Sequence, residues 1–389
     1  MNVPHDDWIR PYGLIINGVL ERGLELAIVN GTIQEIRASS HPCESFIVSS
    51  AFVNAHSHLE YRGMQEAIDK PMFFEWIFEL ARLKALESPE YVREQCDLAA
   101  AENKRTGVAW IGEHSDRDGS AEAMIKHGIG GWIFHEVITL SENETPRERL
   151  EHVACRLEAT RKVFPDSSLN PHAYYTVDED ILKMMGKMSD PSSIHVAETT
   201  HESNFVRLGK GKFADRRRSQ GISFNVYNLS IVEVLRDHGV LHRGVQCVHC
   251  CDVDEFDIQI LAKTGVTIAH CPQSNQRLQC PHAPVREFLD AGITVGLGLD
   301  SPASGGPINM FAEMREAMAV AAKREKPLTG DEVWRMATCD GYQSFGKPGP
   351  DAWDIYEGSS TPLIRIHVDG VKSVEELIEI GNPSKVSWI

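Results

Sequence analysis

Apolar residues recur along this chain with two different periods, and the period changes near residue 50. Before it, β-branched runs at 14–18, 24–31 and 32–36 carry Asn17-Gly18 and Asn30-Gly31 as turn signals, which predicts short strands joined by tight turns. The apolar run 46–53 then opens a series in which short apolar stretches alternate with helical patterns. The spacing predicts helices over 73–85, 91–104, 120–127, 147–163, 178–188, 231–238, 254–263, 284–291 and 308–323. The intervening runs predict strands over 107–112, 131–137, 193–197, 244–248, 265–269 and 293–299, with one more leading into Pro171-His172-Ala173. Alternating strand–helix units imply a parallel sheet, and eight of them over roughly 250 residues fit a closed (β/α)8 barrel of the TIM type, here 49–345. The tail at 362–370 returns to strand character. It is expected to place 346–389 with 1–48 in a small composite β domain.

Chemistry in such a fold sits at the C-terminal strand ends. The first run continues into Asn54-Ala55-His56-Ser57-His58-Leu59-Glu60. Alternate side chains of a strand point the same way, so His56 and His58 can face one point, and imidazole is the commonest metal ligand. In a chain with 17 histidines that pair alone says little. The later ends add His172, then His195 and Glu198, then His249, then His270 with Asn275, then Asp300. Each could be a strand-end polar group satisfied by backbone. Independent chance is a poor account of all of them together. Cys247-x-x-Cys250, without a second pair, reads as strand packing rather than a zinc site.

These residues carry a family resemblance. Asn54-Ala55-His56-Ser57-His58-Leu59-Glu60, Pro171-His172-Ala173, His195-Val196-Ala197-Glu198, Val248-His249-Cys250, His270-Cys271-Pro272-Gln273-Ser274-Asn275 and Gly298-Leu299-Asp300-Ser301 stand in family order. The chain resembles the amidohydrolase superfamily and, within it, the branch of amino-heterocycle deaminases and chlorohydrolases. Around His56, His270 and Asp300 it is most similar to aminofutalosine deaminase-type sequences. Gln246 competes with His249 for one family histidine position, and the spacing to the next helix favours His249. The resemblance implies one divalent metal on His56, His58, His195 and Asp300. Zinc suits that set, and the ligand types also admit iron. It implies metal-bound water attacking the amino-bearing carbon of an N-heterocycle, with Glu198, His249 and Asp300 moving protons and ammonia leaving. It places His172, His270, Glu60 and Asn275 near the substrate, although Glu60 could instead cap a helix and Asn275 stabilise a loop. No lysine follows the fourth strand, which favours one metal over a lysine-bridged pair. Chloride displacement or cyclic-amide hydrolysis is the rival chemistry at such a site, and a catalytically inactive barrel is the reading of a different class.

Composition narrows the partners. A formal charge of −17 argues against a nucleic-acid backbone. No stretch approaches a membrane span, and Met1 to Arg10 has no apolar signal core. Nine cysteines, an odd number in a long chain, fit a cytoplasmic protein with free thiols. The expected partner is a small heterocyclic amine, with a homodimer as the assembly the resemblance implies.

Overall fold

The computed structural model describes residues 8–140, 144–346 and 350–389. Eight of its strands form two all-parallel four-stranded sheets. The first runs β4-β3-β2-β1, built from β1 Phe52–Ser57, β2 Val108–Ser115, β3 Gly130–Val137 and β4 Ser167–Pro171. The second runs β5-β6-β7-β8, built from Ser192–Val196, Val245–His249, Thr267–His270 and Val295–Leu297. Two isolated parallel bridges join the sheets, Ser57 with Asp300 and Ala173 with His195. Both lie at C-terminal strand ends, so the edges meet where the polar residues stand. β1, β6 and β8 are buried throughout. Burial on both faces makes strands read as continuous apolar runs rather than alternations.

Helix starts follow local chemistry. Thr145, Ser230, Asp254 and Thr329 each form a reciprocal capping box with the acidic residue three positions on. Trp334, on the helix Gly330–Met336, packs against Phe52 at 5.6 Å and donates from Nε1 to Ser49 Oγ at 3.0 Å. It thereby pins the junction between the N-terminal strands and β1.

The apolar run 46–53 is two strands in two sheets. Glu44–Ser50 pairs parallel with Pro11–Ile16 and antiparallel with Leu363–Ile366 in a five-stranded sheet drawn from both ends of the chain. Ala51 donates its N–H to Pro362 O, and β1 begins at Phe52. Both halves are buried, so hydrophobicity does not mark the break. β2 runs through Ser115, three residues past the expected end. Two helices, Thr200–Leu208 and Lys212–Ser219, occupy a stretch where none is expected; the second buries only Phe213 and Ala214. Helices Cys339–Gln343 and Val374–Ile380 are likewise additions.

Candidate active site

His56 and His58 leave β1 buried, with ring centroids 4.9 Å apart. Asp300 follows β8, tied to β1 by its N–H donating to His56 O at 2.9 Å. Its Oδ1 lies 3.7 Å from His56 Nε2 and 3.9 Å from His58 Nε2. Ser274 Oγ donates to Oδ2 at 2.6 Å, and the Ser301 N–H donates to Oδ1 at 2.7 Å. His195 Nδ1 donates to His172 O at 2.8 Å, which leaves Nε2 as a lone-pair donor. Ring nitrogens or carboxylate oxygens lie within 4.8 Å of one another in three sets: His56, His58, Asp300; His56, His114, His195; and His58, Glu136, His195.

Burial shapes the electrostatics. It holds His58 down to about 4, and it holds His56 well below the ordinary imidazole value, with His114 and the other nearby imidazoles adding to the effect. Both nitrogens of His56 and Nδ1 of His58 have no hydrogen-bond partner among the described residues. Neutral, buried, unpartnered imidazoles beside a carboxylate have the donor chemistry of a divalent metal site.

His249 sits at the end of β6 in the left-handed region (φ 70°), as do Ala197 after β5 (φ 48°) and Asp300 (φ 53°). Non-glycine residues pay for that conformation, and such strain collects at functional sites. His249 Nδ1 donates to Asn275 Oδ1 at 2.8 Å, and its Nε2 lies 3.6 Å from Glu198 Oε1. Burial brings His249 down to about 3 despite the opposing pull of Asp300. Burial also pushes Glu198 well above the carboxylate range, with Asp300 and Glu202 adding to the effect. Burial thus favours the neutral form of both groups where they face each other.

These groups line a cavity of about 200 Å³. His58, His172, His195, Glu198, His249 and Asp300 line it together with Tyr61, Trp76, Lys84 and Tyr175. His172 is half-buried, its Nδ1 2.8 Å from Thr176 Oγ1. Three residues expected near substrate stand elsewhere. Glu60 is fully buried and accepts from Ser115 Oγ and from the N–H groups of Asp116 and Arg117, so it anchors the loop after β2. Asn275 is on the helix Pro272–Arg277 and holds His249. His270 is buried at the end of β7, away from the cavity lining. Gln246 points to Ser344 Oγ (2.9 Å), leaving His249 as the β6 imidazole at the cavity. All nine cysteines are free, and no metal-capable cluster among the described residues includes one.

Sequence reasoning missed His114 and Glu136, both fully buried. His114 lies in the three residues by which β2 outruns its expected end. Continuing the period of two from Gly112 would have set it on the interior face. Glu136 stands on β3 beside it, within the apolar run expected as a strand over 131–137.

Parallel strands that deliver imidazoles and carboxylates from their C-terminal ends define a metal-hydrolase type of site. The chain belongs to the amidohydrolase family, whose model matches residues 47–349. It is similar to the 5-methylthioadenosine/S-adenosylhomocysteine deaminase of Thermococcus kodakarensis, 31% identical over 77% of this chain and 69% of that protein. It also resembles a zinc-bound adenosine deaminase structure from Xanthomonas campestris, with a TM-score of 0.82, 21% identity, and coverage of 97% of this chain and 90% of that one. A zinc complex of the atrazine chlorohydrolase from Arthrobacter aurescens shares the fold at a TM-score of 0.78 and 19% identity, over 97% of this chain and 94% of that one.

Proposed function

We propose that this chain is a mononuclear metal-dependent deaminase that hydrolyses an amino-substituted N-heterocycle. Its body is a closed (β/α)8 barrel over 49–345, and 1–48 with 346–389 form a second, composite β domain. The observation that carries the reading is the juxtaposition of two sets of groups. Unpartnered buried imidazoles beside Asp300 can hold a metal, and Glu198 and His249 face each other next to them.

His56, His58, His195 and Asp300 would hold the ion, and three imidazoles with one carboxylate suit zinc. When bound, the metal supplies Lewis acidity, which brings the pKa of water to about 7. The remaining work falls to the chain. His249, its Nδ1–H fixed by Asn275, presents an unprotonated Nε2 that orients water. Asp300, steadied by Ser274 and Ser301, shares in taking the proton. Glu198 gives its proton to the ring nitrogen beside the amino-bearing carbon, which makes that carbon electrophilic. Protons returned to the amino group let ammonia leave. Water enters, ammonia departs, and no oxidation occurs. His172 is the substrate contact at the cavity wall, while Asn275 and Glu60 position other groups. The names of the deaminase relatives support adenosine-type nucleosides as the first candidates to try. The family resemblance and the free thiols support a cytoplasmic enzyme, with a homodimer as its assembly.

The test is metal analysis of protein purified without chelator, with an ammonia-release screen over purine, pyrimidine, triazine and pterin amines. The reading predicts one metal per chain and ammonia from at least one amine. Metal with chloride or a new carboxylate, but no ammonia, would move the chain to dechlorination or cyclic-amide hydrolysis. A chain without metal would be the inactive scaffold.

A further inference from the structure

Beneath the metal-ligand set, β2 and β3 bring His114 and Glu136 into the fully buried interior, a pair that the deaminase chemistry above does not use. His114 is the imidazole packed most closely on His56. Their centroids are 4.3 Å apart, against 4.9 Å for His58, 5.0 Å for His195 and 5.7 Å for His249. His56 turns Nε2 towards Asp300, and its Nδ1 has no partner among the described residues. His114 Nε2 has none either, while its Nδ1 faces Glu136 Oε1 at 3.4 Å. The Asn170 amide stands 3.5 Å from the same nitrogen through Nδ2, and its Oδ1 is unpartnered; turned end for end, it too would accept from Nδ1–H.

A histidine that binds metal through one nitrogen donates the other N–H to an acceptor, which fixes its ring and raises its basicity. His195 has such an acceptor in His172 O. We propose that His114 is the acceptor for His56, a positioning residue held in place by Glu136, so that a chain Glu136–His114–His56 supports the metal from inside the barrel. This rests on the metal-binding reading above. The structure holds His56 Nδ1 and His114 Nε2 without a hydrogen bond between them, and the proposed contact would partner both.

The test uses full-length protein stripped with a chelator. Zinc affinity is measured by competition with a chromophoric chelator, the visible spectrum is recorded with cobalt(II), and melting of the metal-free form is followed. His114→Leu is expected to weaken zinc binding about 10- to 100-fold. The cobalt bands should keep their energy and intensity, because no ligand is lost. His114→Gln, whose amide oxygen can accept, should recover part of the affinity. Glu136→Gln keeps the side-chain shape, so it covers the case in which His114→Leu fails to fold, and it should shift affinity the same way by less. Zinc affinity within twofold of wild type in both His114→Leu and Glu136→Gln would overturn the inference. So would a cobalt spectrum showing a lost ligand, which would make His114 a ligand itself. A wild-type chain that takes up no zinc would instead sink the metalloenzyme reading.

Discussion

Asn275 reaches His249 rather than the cavity, and that contact decides which ring nitrogen carries the hydrogen. Asn275→Ala should therefore lower kcat about 10- to 100-fold while metal content, measured by elemental analysis, stays at the wild-type value. Glu198→Gln keeps the shape and removes the transferable proton. It should cost about 10²- to 10⁴-fold in kcat, again with metal retained, and a fall of less than tenfold would remove Glu198 from the proton path. Single residues were legible where periodicity places them. His56 and His58 follow from the period of two on β1, and His195 and Asp300 from the ends of β5 and β8. Asn275 was expected either near the substrate or as a loop stabiliser, and its contact with His249 was not foreseen. β7 has only four residues, and the helix after it turns Asn275 sideways, a rotation that spacing alone does not give.

Elements were read well where burial is continuous and poorly where it is shared between sheets. The split at Ala51 escaped because both of its halves are buried, and the helix at 212–219 because it buries only Phe213 and Ala214; the helix at 200–208, which buries Phe205 and Val206 on one face, did carry a readable apolar pattern. Close strand packing shows at Gly131 on β3, where an added Cβ would lie 2.1 Å from Ile111 O. Gly131→Ala should lower stability by about 1–3 kcal/mol in denaturant titration, the usual range for overpacking, because backbone cannot step aside. Helix Glu179–Met185 opens with a charged cluster. Burial pushes Glu179 up, but hydrogen bonds led by Lys183 (2.6 Å), with Tyr227 and Asn225, outweigh it and bring Glu179 down to about 2. A lowered carboxylate stabilises fully above its unfolded value near 4.5, and that support is lost as pH falls towards 2. Glu179→Gln should thus melt lower than wild type at pH 6, and the gap should close as the pH approaches 2.

Across the whole molecule, the strands Pro11–Ile16, Val19–Arg22 and Glu44–Ser50 share one sheet with the tail strands Leu363–Ile366 and Val386–Trp388, and Trp388 closes the tail onto the body by donating from Nε1 to Lys104 O at 2.9 Å. The return of the tail to strand character was legible, but its helix Val374–Ile380 was not. No helix among the described residues is long and apolar enough to cross a membrane. A metal that binds only the folded chain adds stability by mass action, about 4 kcal/mol at a thousandfold excess over Kd. Chelation should therefore lower Tm, and zinc should restore it. The most direct measurement of the central claim is ammonia release from adenosine-type nucleosides as zinc is titrated into chelated protein. The account predicts a rate that climbs linearly and breaks at one equivalent, with one ammonia formed per ring converted. A break at two equivalents, or conversion without ammonia, would contradict it.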